Sequence, residues 1–115
     1  MGEALAIARP RPDEYAPYYD KYLSLIADGD ILTTLEDQVL ETCALLSARE
    51  EGEADFRYAQ GKWSVKEVIG HLVDTERVLS YRALRIARND RTPIEGFEQD
   101  DYVKYGAFGR RRLAG

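Results

Sequence analysis

The stretch GKWSVKEVIGHLVDTERVLSYRALRIAR, residues 61–88, decides the fold. Ser64 and Glu67 form an S-x-x-E capping box, in which each side chain satisfies a backbone N–H at a helix start. Trp63 precedes the cap and Val68 stands at the fourth helical position, the spacing of a hydrophobic staple, so the first reading of Trp63 is packing rather than ligand stacking. The helix is expected from Val65 to about Arg88, stopping before NDRTP. At about 100° per residue, Val65, Leu72, Leu79 and Ala83 align on one face, and Val68, Ile69, Val73, Ile86 and Ala87 widen it. Lys66, Asp74, Arg77, Tyr81 and Arg88 mark a narrower polar arc. Glu76 falls near the middle of the apolar face, an expensive place for a carboxylate unless it is paired. His71 lies on a shoulder with Thr75, Val78 and Arg82, where a side chain can look into a cleft between helices. A helix apolar over so much of its circumference needs two or more partners, as in a bundle.

Upstream, Ile31, Leu32, Leu35, Val39, Cys43 and Leu46 recur at three- and four-residue intervals, which predicts an amphipathic helix over 31–49 with Asp30 as its N-cap. EEGEAD then reads as a polar loop. Tyr15, Tyr18, Tyr19 and Tyr22, followed by Leu23 and Ile26, predict a short helix from about Pro17 to Ala27, with proline tolerated in its first turn. Four tyrosines could form a stacking platform for a ligand. The more ordinary role is to pack a short helix on its neighbours with the hydroxyls reaching water. Residues 1–12 are expected to be a flexible lead-in because Pro10 and Pro12 oppose regular structure, and residues 13–115 to be the domain. Downstream, TPIEGFEQDDYVKYGAFGRRRLAG starts with an extended turn around Pro93 and Gly96. It continues through an acidic stretch to three arginines that default to a solvated tail. No further long amphipathic segment follows, so the long helix lacks partners.

At 115 residues the chain suits one domain with a modest core. A formal charge of −5 opposes general nucleic-acid binding, which calls for a basic face. No run approaches the roughly 18 apolar residues that span a membrane, and the N-terminus lacks a basic start followed by a sustained apolar stretch, so neither membrane insertion nor export is expected. One cysteine, Cys43, excludes an internal disulfide and a multi-cysteine zinc site, and it fits a reducing cytoplasm. On the apolar side of its helix, Cys43 reads as a buried structural thiol.

His71 is the sole histidine. Glu67 lies four residues before it and Asp74 three after, so either carboxylate can share its helix face. A metal site usually needs three protein ligands and an open position. One imidazole flanked by acids is a weak signal on its own, and a solvated helix shoulder is the ordinary alternative. No serine or cysteine stands in a recognisable triad context. Glu76, Asp100 and Asp101 could form acid–base pairs, but acidic residues are abundant here. No Gly-rich phosphate loop is present, and the catalytic residues stay unassigned.

The motifs GKWS, GHLVDTER, YRALRIAR and GFEQDDYV, together with the lead-in EYAPYYDKYLSLI and DGDIL, resemble the DinB-like superfamily of damage-inducible proteins over roughly residues 12–113. The resemblance implies an all-α fold, an up-down-down-up four-helix bundle, incomplete here as a short N-terminal helix plus two long ones. It also implies a divalent metal, zinc or nickel, held by three histidines. The first comes from the second helix, where His71 stands. The other two come from a G-H-E-x-H-H-like motif in the last helix, which this sequence lacks. Some members are thiol transferases that use bacillithiol and others mycothiol-dependent isomerases, so the substrate class implied is a low-molecular-weight thiol or another small molecule. The leading expectation is a metal-dependent thiol transferase or hydrolase by descent, represented by its N-terminal part and inactive in this form. The alternative is a non-enzymatic helical interaction module that completes its bundle as a homodimer.

Overall fold

A computed structural model describes residues 7–114, which are all helix, turn and coil, with no strand among them. Four α-helices follow in order: α1 (Asp20–Leu23), α2 (Ile31–Ser47), α3 (Val65–Ala87) and α4 (Gln99–Gly106). The chain divides into two compact units, one ending at Ala48 and the other starting at Arg49.

In the first unit, the expected helix over 17–27 is reduced to a 3-10 turn, Pro17–Tyr19, and the four residues of α1. Residues 7–11 carry no regular structure, and the first six residues of the expected lead-in lie outside the described chain. The Arg9 guanidinium accounts for the early end of α1. It donates to the carbonyls of Leu23 (2.9 Å) and Ile26 (2.6 Å) and reaches Asp28 Oδ1. Those acceptors are ones that a longer helix would have used itself. Tyr18, Tyr19 and Tyr22 stay exposed and pack edge to face on one another. Lys21 Nζ lies 3.8 Å from the Tyr18 ring centroid, within reach of a cation–π attraction. Gly29, at φ 149°, breaks the chain before α2 in a conformation that favours glycine.

Helix α2 starts where Asp30 predicts, with the Asp30 carboxylate accepting from the Thr33 N–H and hydroxyl. It buries none of its side chains: Leu32, Leu35, Val39, Leu40 and Leu45 are all exposed, and so is Cys43. The expectation of a buried structural thiol is therefore corrected. The apolar stripe exists, but within its own unit nothing among the described residues covers Cys43.

In the second unit, α3 has the predicted limits. The Ser64 Oγ accepts from Glu67 N–H (3.2 Å) while Glu67 Oε1 accepts from Ser64 N–H (3.0 Å). Both halves of the capping box are thus made. The helix ends with Asn89 in the left-handed region at φ 54°, a conformation asparagine tolerates better than most residues. EEGEAD is not a plain loop but a 3-10 turn, Glu51–Asp55, that buries Ala54 and sets Glu51 and Asp55 against Lys66 (3.4 and 3.5 Å). Lys66, placed on the polar arc, is only 11% exposed in its side chain. Its stem is covered while the ammonium meets two carboxylates.

The segment after α3 departs most from expectation. Instead of an acidic stretch leading to a free tail, residues 99–106 form α4, capped by Glu98 and packed on α3 with Val103 buried. A left-handed Ala107 then turns the chain into a 3-10 turn, Phe108–Arg110, and the Phe108 ring closes over Gly70 and Gly106. The arginines beyond are exposed, as expected. The backbone is nevertheless tethered, because Leu113 N–H donates to both carboxylate oxygens of Glu51 (2.8 and 2.9 Å). These contacts fall on one side of α3. Its half-covered residues include His71, Thr75, Val78 and Arg82 of the shoulder, together with Glu67, Asp74 and Arg85, whereas Val68, Leu72, Leu79 and Ile86 of the apolar face are 43–70% exposed. Glu76 consequently meets no burial penalty; it is exposed and accepts from Ser80 Oγ (3.2 Å).

Candidate functional site

His71 sits in the second turn of α3, half-covered, with the tilted Trp63 ring 5.0 Å from its own. Trp63 thus packs on the imidazole, extending the staple reading from Val68, itself exposed, to a neighbour two turns from the cap. Thr75 Oγ1 lies 3.5 Å from His71 Nδ1, at the outer limit of a hydrogen bond. No partner approaches Nε2 among the described residues, so that nitrogen is the one available to a ligand.

Glu67 shares the face but not the task. Its carboxylate accepts from the Ser64 N–H and is also paired with the Arg57 guanidinium, which donates in turn to the Lys62 carbonyl (2.6 Å). The Ser64 N–H foremost, with Arg57 after it, holds the Glu67 carboxyl below the usual carboxylate range despite partial burial. Both of these bonds fall on Glu67 Oε1, so the cap fixes this carboxylate in place on the helix end. Asp74, placed on the polar arc, is half-covered, while Asp100 and Asp101 stand in the first turn of α4 and Glu76 is exposed to solvent. Among the described residues no three of His, Cys, Asp and Glu come together as a metal site. The donors present therefore do not fit a resident divalent ion by themselves.

Past His71, this side of α3 is organised by two arginines to which the sequence assigns no role. Arg82 donates to the Glu95 carbonyl (3.1 Å), and Arg85 to Asp90 (3.0 Å) and the Thr92 carbonyl (2.6 Å). They hold residues 90–97 against α3. Thr92 N–H and Arg85 bring the Asp90 carboxyl down to about 2 from an ordinary value of 3.8. A carboxyl lowered on folding contributes stability that is complete above its unfolded pKa and is lost as the pH falls through the folded one. The turn should therefore loosen between about pH 4 and pH 2, read as loss of protection at the Thr92 amide by NMR. Asp90→Asn should abolish that pH dependence while leaving α3 helical.

No helix among the described residues is long and apolar enough to cross a membrane. A family model described as the DinB superfamily matches residues 33–113. No curated protein and no solved structure was found to match.

Proposed function

Since the chain belongs to the DinB superfamily, we propose that it descends from a metal-dependent thiol transferase or hydrolase and that these residues alone do not carry the reaction. The observation behind this reading is the donor set around His71. The chain has a single imidazole, and the carboxylate one turn before it has one oxygen committed to the helix cap and Arg57. A zinc or nickel ion, when bound, would stabilise an anionic nucleophile such as a thiolate or hydroxide near neutral pH. His71 Nε2 is the atom of this chain suited to hold one corner of such a site, with Trp63 packed on the ring and Thr75 Oγ1 3.5 Å from its other nitrogen. The substrate class that goes with this reading is a small molecule or low-molecular-weight thiol, and the single cysteine suits work in a reducing cytoplasm.

Zinc titration with stoichiometry by native mass spectrometry tests the proposal. Binding to the purified chain should be weak and non-stoichiometric, and His71→Ala should change it little. Tight one-to-one binding that His71→Ala abolishes would overturn the claim of incapacity.

A second reading, of a different class, is favoured by the open apolar faces. Leu72 and Leu79 on α3 are 52% and 51% exposed, and a helix face of that character is ordinarily covered. On this reading the chain is a non-enzymatic helical module and a second copy supplies the cover, each α3 presenting the same stripe to its partner.

A further inference from the structure

An open pocket of about 470 Å³ lies between the second half of α3 and residues 93–102, within the volume range of small-molecule sites. Three guanidinium groups, Arg77, Arg82 and Arg85, line it against one carboxylate residue, Glu95, on a chain whose formal charge is −5. Arg82 and Arg85 have a structural reason to be here, since they hold residues 90–97 against α3, but that duty does not explain a third guanidinium, Arg77, at the same concavity of an acidic protein.

Two of the three are fixed in place. The carbonyls of Glu95 and Thr92 and the carboxylate of Asp90 orient Arg82 and Arg85. Each guanidinium has five N–H donors in a planar fork, so neither is exhausted by those bonds. The remaining arginine, Arg77, is exposed and makes no hydrogen bond or ion pair among the described residues. Next to these cations stand Phe97 and Tyr102, whose ring centroids are 4.9 Å apart, with the Arg82 guanidinium 5.9 Å from the Phe97 centroid. The pocket thus joins a forked cationic wall to an aromatic one.

We propose that this pocket binds a small organic oxyanion, a carboxylate or phosphate carried on a flat apolar body. The anionic end meets Arg77 and the free N–H groups of Arg82 and Arg85. The body lies along Phe97 and Tyr102. Arg77 contributes affinity without structural duty, whereas Arg82 and Arg85 also hold the wall. The assignment is independent of any metal at His71.

Titration of the ¹⁵N-labelled chain with phenyl phosphate, benzoate, inorganic phosphate and benzyl alcohol tests it. Shifts should map to residues 77–85 and 93–102 with phenyl phosphate or benzoate, and whichever of the two binds more tightly identifies the anionic group. Inorganic phosphate should bind at least about fivefold more weakly than phenyl phosphate, because it lacks the stacking body, and benzyl alcohol should not saturate. Arg77→Ala should weaken phenyl phosphate at least about fivefold, the loss of one charge-assisted contact, with unchanged helicity by circular dichroism because the residue is exposed. Arg110→Ala, on the tail, should leave it unaltered. Equal binding of inorganic and phenyl phosphate, an unaffected Arg77→Ala, or shifts confined to Arg110–Arg112 would each overturn the assignment.

Discussion

Gly70→Ala should destabilise the second unit, although alanine is the better helix former. In an open helix interior the change would gain about 1 kcal/mol. Here a Cβ on residue 70 would stand 2.4 Å from the Phe108 ring, a separation no packed pair of carbons adopts. The ring cannot retreat freely, since it also covers Gly106, where a Cβ would meet it at 2.5 Å. Overpacking of this kind costs about 1–3 kcal/mol, sometimes more, so the clash outweighs the propensity gain. Phe108→Ala should do greater damage, about 3–5 kcal/mol. Among the described residues the buried apolar ones are Ala54, Val103 and Phe108, and removing the ring exposes much of what holds α4 to α3. Chemical denaturation should give a lowered midpoint for both variants. Hydrogen exchange should show α4 losing protection before the middle of α3. A Gly70→Ala protein as stable as the wild type would mean that Phe108 does not sit over Gly70 in solution.

Replacing both Leu72 and Leu79 by glutamate should make the chain monomeric if the second reading of its function holds. Each leucine is about half exposed, and covering a leucine fully is worth about 1.5–3 kcal/mol. Losing both from each copy, and placing carboxylates in an apolar contact, should weaken self-association by at least about 100-fold. Sedimentation velocity over a wide concentration range would show a dimer for the wild type and a monomer for the double variant, with helicity retained in both. A well-folded wild type that is monomeric at every concentration would defeat the homodimer reading and leave the metalloenzyme-derived reading standing. Neither leucine lines the arginine pocket, so anion binding by the same variant provides an independent check that the second unit is intact.

The parts of the structure legible in the sequence are those whose causes lie within a few residues. Asp30 and Ser64 start their helices because each oxygen meets a backbone N–H three positions on. The 3.6-residue periodicity makes the course of α3 plain. What it cannot reveal is which side of that helix its own unit covers. That depends on pairings between distant residues, such as Leu113 N–H with Glu51, 62 positions apart, and Phe108 with the bare backbone of Gly70. Helix α4 escapes notice because its eight residues carry one buried apolar side chain, Val103, too little for a periodic signal. The tyrosine-rich segment suggests a longer helix than forms, because nothing local announces that Arg9 will take up the carbonyls of Leu23 and Ile26.

At the site, His71 is identifiable as the sole imidazole, and the helical register alone puts it on the shoulder. Of the two uses suggested for Glu67, helix cap and ligand neighbour, the cap is made, with the partner three residues away taking Oε1. Trp63 has the spacing of a staple and is also the surface on which the imidazole rests. The arginine pocket leaves a faint trace, the repetition of arginine at 77, 82 and 85. Convergence on Phe97 and Tyr102 requires knowing that the chain after Asn89 doubles back.

That doubling back separates two kinds of selection between the two sides of α3. Positions 70 and 108 answer to the chain's own stability, so random replacement there should be rejected whatever surrounds the protein. Positions 72 and 79 answer to whatever comes to lie on them, and their tolerance should differ between an isolated preparation and a living cell. A deep mutational scan scored once for folding and once for cellular fitness would disagree along that stripe, and the size of the disagreement would measure how strongly the cell depends on its being covered.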